Sequence, residues 1–210
     1  MVRVKVCGIT NLEDALVAAA AGADALGFNF WPRSPRHIEA RRAGELIAHL
    51  PPFVTPVGVF VDESPARIRS VAQASGVRAV QLHGNEPPED VAALGRSGLA
   101  VFKAFPVGPG FRPQQLRRYS AAGAFLLDAQ VKGKRGGTGK SFDWTVARRA
   151  APFGRILLAG GLTPENVAEA VRQAQPWGVD VCTGVEKKPG VKDHKRLREF
   201  IRRAKMAAAS

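Results

Sequence analysis

The chain has 210 residues, 45% of them apolar, and its 31 Lys and Arg against 18 Asp and Glu give a net charge of +13. That length buries one substantial core. No run reaches the 18 or so uninterrupted apolar residues of a membrane span, and two cysteines, Cys7 and Cys182, are too few for a disulfide scaffold. The N-terminus lacks an apolar core followed by a small-residue cleavage site, so the expected location is a reducing cytoplasm. The positive field suits a small anionic substrate. Lys and Arg are spread through predicted helices with little aromatic interleaving, so neither nucleic acid nor membrane is an expected partner.

The first run, Val2-Arg3-Val4-Lys5-Val6-Cys7, alternates and reads as a strand, with the valines on one face and Arg3, Lys5 and Cys7 on the other. Lys5 and Cys7 then lie roughly 6.6 Å apart along one face. A cation that near favours the thiolate. Cys7 reads either as a small buried apolar residue or as a reactive thiol at a strand end. Gly8 ends the strand, and Thr10 or Asn11 caps a helix over 11–21 that stops at Gly22.

Strands are predicted over 25–30, 57–61, 79–83, 99–105, 124–128, 155–159 and 179–182. Helices alternate with them over 39–50, 64–76, 88–96, 113–122, 143–150 and 163–175, with a basic helix last. Pro51 and Pro52 stop the second helix, and Ser64-Pro65 opens the third with a cap and a first-turn proline. Thr163-Pro164-Glu165-Asn166 supplies the same kind of start later in the chain. The densest basic stretch, 192–203, keeps Leu197, Phe200 and Ile201 on a helical stripe, so it reads as a docked helix with a solvated basic face.

Eight strand-then-helix units about 25 residues apart, with no linker between them, predict one domain over 1–210. The expected architecture is α/β, a single closed (β/α)8 TIM barrel rather than a doubly wound open sheet. In such a barrel the active site forms at the C-terminal ends of the strands. Those ends carry Cys7, Asn29, Asp62, Gln81, His83, Phe105, Asp128, Gly160-Gly161, Asp180 and Thr183-Gly184. A thiol and a carboxylate facing each other across one mouth can serve as base and acid. Asp128 also reads as a cap or as the partner of a loop lysine.

The glycines after strands seven and eight present unhindered amides at the recurrent phosphate site of this fold, or else ease a tight turn. Lys134-Arg135-Gly136-Gly137-Thr138-Gly139-Lys140 lacks P-loop spacing, since glycine would be needed at Lys134, and reads as a mobile lid. Arg33 and Arg36 lie in the loop after strand two, where they can meet an anionic group or simply face solvent.

With those pieces placed, the sequence resembles the phosphoribosylanthranilate isomerase family of tryptophan biosynthesis. The matching segments are Lys5-Val6-Cys7-Gly8-Ile9-Thr10, Ser34-Pro35-Arg36, Gln81-Leu82-His83-Gly84, Leu127-Asp128, Gly136-Gly137-Thr138-Gly139, Leu158-Ala159-Gly160-Gly161-Leu162 running on through Thr163-Pro164-Glu165-Asn166-Val167, and Gly184-Val185-Glu186. The resemblance implies an Amadori rearrangement with no metal or organic cofactor. It makes Asp128 the general acid and Cys7 the general base, and turns Arg36 toward the anthranilate carboxylate. It puts the phosphate on Gly160, Gly161, Thr183 and Gly184. His83 and Asp180 are further expected substrate contacts, and the assembly is expected to be a monomer or homodimer. One departure stands out: the family commonly has Ser-Ser where this chain has Cys182-Thr183, so one hydroxyl is replaced by a weaker thiol donor. The sister histidine-pathway isomerase has aspartate at the position of Cys7 and a twofold repeat, and neither is present. A non-catalytic basic scaffold would not keep Cys7, Asp128, Arg36 and both glycine turns.

Overall fold

The structure is a computed structural model, and it describes residues 1–129 and 143–208. Eight parallel strands close into a barrel: β1 (Arg3–Cys7), β2 (Ala25–Asn29), β3 (Thr55–Phe60), β4 (Ala79–Leu82), β5 (Ala100–Val107), β6 (Ala124–Ala129), β7 (Ile156–Leu158) and β8 (Gly178–Val181). Closure comes from β1 pairing with β8, in the register Lys5↔Asp180 and Val6↔Val181. Seven α-helices lie among the described residues: α1 (Leu12–Ala20), α2 (Ala40–Ile47), α3 (Pro65–Ser75), α4 (Pro88–Arg96), α5 (Thr145–Ala150), α6 (Val167–Ala174) and α7 (His194–Ala207). The expected TIM barrel is present.

Alternation along each strand separates two environments. Val2, Val4 and Val6 join Leu26, Phe28, Leu82 and Leu127 in the main core between strands and helices. A smaller cluster of Ala104, Leu126, Leu157 and Ala159 forms separately. Caps fall largely where the residue types place them. Asn11 accepts the Asp14 amide and Ser64 accepts the Arg67 amide, while Gly76 ends α3 in the left-handed conformation. The stripe on α7 packs as its spacing requires, with Leu197, Phe200, Ile201 and Ala204 buried and Asp193 as the cap.

Four local expectations change. Residues 113–122 do not form an α-helix. Pro113–Tyr119 is a 3-10 helix that buries only Leu116, too small an apolar face to hold a longer element. The Thr163-Pro164 segment is a turn, and α6 starts at Val167 because the Asn166 side chain is spent on the Thr163 amide and the Gly161 carbonyl. β5 continues to Val107, and Phe105 leaves the mouth to pack edge-on against Tyr119 and Phe125. Between β8 and α7 an antiparallel hairpin appears, β9 (Glu186–Lys188) with β10 (Val191–Lys192), turning at Pro189 and Gly190. Lys192 is therefore a buried strand residue, not part of a solvated helix face. The Lys134–Lys140 segment lies outside the described residues. Among the described residues no helix is long and apolar enough to cross a membrane.

Phe200 is fully buried on α7. Phe200→Ala is expected to lower unfolding stability by about 3–5 kcal/mol, read as a fall in the urea midpoint at unchanged slope. A loss under about 1 kcal/mol would mean that α7 is not an integral part of the core.

Candidate active site

β1 brings two polar side chains to the site, and both need company. Lys5 is 2% exposed, and a buried ammonium must be paired. Its Nζ donates to Asp180 Oδ1 at 2.7 Å, across the β1–β8 pairing. Burial would discharge Lys5, but Asp180 and Cys7 more than offset this and its pKa is raised. Burial pushes the Asp180 carboxyl up to about 6, although Lys5 draws it down.

Cys7 sits two residues above Lys5. Its thiol is lowered well below the usual range, chiefly through the neighbouring Cys182 thiol, with the charges of Lys5 and Lys192 adding to the effect against burial. Cys182 shifts conversely, raised by Cys7 and by burial. Gly27, on β2, lets this cluster close. A side-chain carbon there would stand 2.9 Å from Cys7 Sγ and 3.2 Å from Lys5 Nζ.

Lys192 and Glu186 come from the β9–β10 hairpin. Lys192 Nζ donates to the Cys7 carbonyl at 2.6 Å and to Glu186 Oε1 at 3.0 Å, and lies 3.9 Å from Cys182 Sγ. Glu186 also receives Arg36 through Nε at 2.9 Å and Nη2 at 2.6 Å. Arg36 thus reaches the mouth already half-engaged by a carboxylate. The chain reading missed both hairpin residues. The Pro189-Gly190 dipeptide was the available turn signal, and the surrounding lysines disguised it as part of the basic tail.

On the far side of the barrel, Asp128 ends β6 only 7% exposed, with His83 Nε2 at 3.4 Å from Oδ2. Gln81 Nε2 donates to His83 Nδ1 at 2.8 Å, which leaves the ring proton on Nε2, facing Asp128. The loop after β7 passes close behind. Gly160 and Gly161 have φ of 82° and 65°, and a side-chain carbon at Gly160 would come within 2.8 Å of Asp128 Oδ1. Neither glycine amide bonds to another described residue. Gly184 packs directly on the Leu162 carbonyl, again leaving no room for a side chain.

These elements enclose one cavity of about 490 Å³, within the usual range for a small-molecule site. Cys7, Arg36, His83, Asp128, Gly160, Gly161, Asp180 and Thr183 line it, together with Asn29, Gln81, Trp31 and Cys182. Gly184 lies behind the wall. Phe105 and Asp62 do not line it; Asp62, at φ 52°, accepts the Asn85 amide in the adjoining loop. Arg33 is exposed on the rim.

The cavity thus holds a thiol of lowered pKa, a carboxyl and two glycine amides that bond to no other described residue. The family model for N-(5'phosphoribosyl)anthranilate (PRA) isomerase matches residues 4–203. The chain belongs to the N-(5'-phosphoribosyl)anthranilate isomerase family. It is accordingly an intramolecular oxidoreductase of the aldose–ketose isomerase class. It is 53% identical over 205 residues to the isomerase of Geobacter sulfurreducens, covering 98% of this chain and 99% of that one, and 47% identical to that of Rubrobacter xylanophilus over 98% and 100%. Among solved structures, the Thermotoga maritima isomerase superposes with a TM-score of 0.91 at 44% identity, covering 98% of this chain and all of that one. Another isomerase of the family, 42% identical with a TM-score of 0.88 over 98% and 100%, is in complex with reduced 1-(o-carboxyphenylamino)-1-deoxyribulose 5-phosphate. The Thermotoga maritima isomerase has also been solved as monomers generated from a dimeric protein.

The cluster around Cys7 makes an asymmetric prediction for this family member. At pH 7 iodoacetamide labels Cys7 before Cys182. Removing both members of the buried pair, Lys5→Gln with Asp180→Asn, slows labelling of Cys7 by about tenfold without leaving an isolated buried charge. Peptide mapping over time reads both rates. Faster labelling of Cys182, or an unaltered Cys7 rate in the double variant, would show that the Lys5 ammonium does not activate the thiol.

Proposed function

We propose that this isomerase converts N-(5-phosphoribosyl)anthranilate to 1-(2-carboxyphenylamino)-1-deoxyribulose 5-phosphate, an Amadori rearrangement of tryptophan biosynthesis in the cytoplasm. The observation that carries the reading is the placement of Cys7 and Asp128 in the wall of one cavity that also exposes the amides of Gly160 and Gly161. Asp128 acts as general acid. It protonates the furanose oxygen as the bond from that oxygen to C1′ breaks, and the amine nitrogen lends its lone pair to form the Schiff base. Cys7, as thiolate, then removes the proton from C2′. The electrons of that C–H bond flow back to nitrogen through C1′, giving an enolamine. Protonation at C1′ with loss of the C2′ hydroxyl proton gives the ketone.

The remaining groups position the substrate. The phosphate rests on Gly160, Gly161, the Thr183 hydroxyl and the backbone at Gly184, in the place where this fold gathers oriented amides. Arg36 faces the anthranilate carboxylate with the part of its guanidinium that Glu186 leaves open. His83, held by Gln81, orients the Asp128 carboxyl and resupplies its proton; Asp180 contacts the sugar from the opposite wall. The reduced ribulose phosphate bound by the solved relative supports a ligand of this class. The chain acts as a monomer or homodimer, on a small-molecule substrate without nucleic acid.

Disappearance of phosphoribosylanthranilate fluorescence tests the assignment. Cys7→Ser and Asp128→Asn are each expected to lower kcat by about 10²–10⁴, with much smaller changes in KM. Full activity in both variants would refute the acid and base roles.

A further inference from the structure

Cys7 and Cys182 stand at the ends of neighbouring strands. The β1–β8 ladder pairs Lys5 with Asp180 and ends with Val6 opposite Val181, so Cys7 and Cys182 are the residues that follow its last pair on the two strands. Neighbouring strands lie about 4.8 Å apart, inside the Cα separation of about 4.4–6.8 Å that a disulfide spans. At Cys182 the chain leaves the extended conformation, with φ −130° and ψ −84°. Its sulfur then lies over the turn that follows Cys7, where a side-chain carbon at Gly8 would come within 3.1 Å of it. The Cys182 thiol donates to Glu186 Oε1 at 3.7 Å, and Lys192 Nζ, which donates to the Cys7 carbonyl, stands 3.9 Å from its sulfur. Both thiols are free, partly accessible and in the wall of the cavity.

We propose that Cys7 and Cys182 form an oxidisable dithiol site that a hydroperoxide closes to an intramolecular disulfide at the mouth of the barrel. The Cys7 thiolate attacks one peroxide oxygen: an S–O bond forms, the O–O bond breaks, and the departing hydroxide takes a proton from solvent. Cys7 is now a sulfenic acid. The Cys182 sulfur attacks the Cys7 sulfur, the S–O bond breaks, and the thiol proton leaves with the oxygen as water. The peroxide is reduced by two electrons and the two thiols are oxidised by the same two. Lys192, with its ammonium near Cys182 and donating to the Cys7 carbonyl, holds both strand ends in place for the second step. Loss of turnover on oxidation rests on the reading of Cys7 as the base; formation of the bond does not.

Hydrogen peroxide applied to the native chain in slight excess is expected to remove both thiols together, as titrated with a chromogenic disulfide. A non-reducing peptide map then shows the Cys7 and Cys182 peptides joined within one chain, two hydrogens lighter than their sum. Dithiothreitol restores both thiols and isomerase activity. In Cys182→Ser the oxidised Cys7 has no partner and proceeds to the sulfinic acid, so recovery with dithiothreitol falls at least about fivefold relative to wild type. In Cys7→Ser the remaining Cys182 thiol oxidises about tenfold more slowly than Cys7 does in wild type. Separate acids on the two cysteines, joined peptides only between chains, or equal recovery in wild type and Cys182→Ser would overturn the dithiol site. A joined peptide in a chain that keeps full activity would leave the site standing and remove Cys7 from the role of base.

Discussion

The buried bond between Lys5 and Asp180 is the constraint on which the mouth of this barrel depends. Two charges leave water together, and each is tolerable only because the other is 2.7 Å away. The bond runs between the first strand and the last, so it lies on the seam that makes the sheet a barrel. It also sets the charge beneath Cys7. At neutral pH the Asp180 carboxylate offsets most of the Lys5 ammonium, although burial raises its carboxyl to about 6. As pH falls through that value Asp180 takes up a proton more readily in the folded chain than its ordinary acidity would allow, and the field of Lys5 turns further toward the thiol. A pair that looks structural is in this way an electrostatic floor for the cavity.

The opposite wall uses a different device. Asp128 is buried with His83 Nε2 3.4 Å from its carboxyl, and the imidazole is held by Gln81. One side of the cavity is therefore rich in cations, with Lys5, Lys192 and Arg36, while the other holds a carboxyl beside an imidazole. Glycine makes the arrangement compact on both sides. Gly27 lets Cys7 and Lys5 approach β2, and Gly160 lets the β7 loop close on Asp128.

The barrel was legible because alternation and helical spacing recur eight times, and each strand end could be read as a place in the fold. Cys7, Asp128, His83, Asp180, Gly160, Gly161 and Thr183 were legible for the same reason: each sits at such an end, and all of them line the cavity. Phe105 was misplaced because alternation along β5 sets it with Val101 and Val107 on the face toward the helices, away from the mouth. Lys192 and Glu186 were invisible as site residues because a short hairpin of five strand residues has almost no periodicity to detect. Charge density hid them as well. A lysine among lysines reads as solvated until the contacts show which one is buried.

That hairpin changes how the Cys182 position is understood. Read along the chain, a thiol in place of a hydroxyl is a weaker donor to a phosphate. In the folded chain the thiol does not turn that way: it lies over Gly8, between Cys7 and the Glu186–Lys192 pair. A thiol in this position acts on the neighbouring sulfur, and it is the main influence that lowers Cys7. A serine hydroxyl would also donate to a thiolate, and more strongly, since O–H is the better donor. What only sulfur adds is the ability to bond covalently to its neighbour. The electrostatics that hold Cys7 toward the thiolate favour its attack on a peroxide, and in the proposed dithiol site the residue beside it decides whether that attack can be reversed.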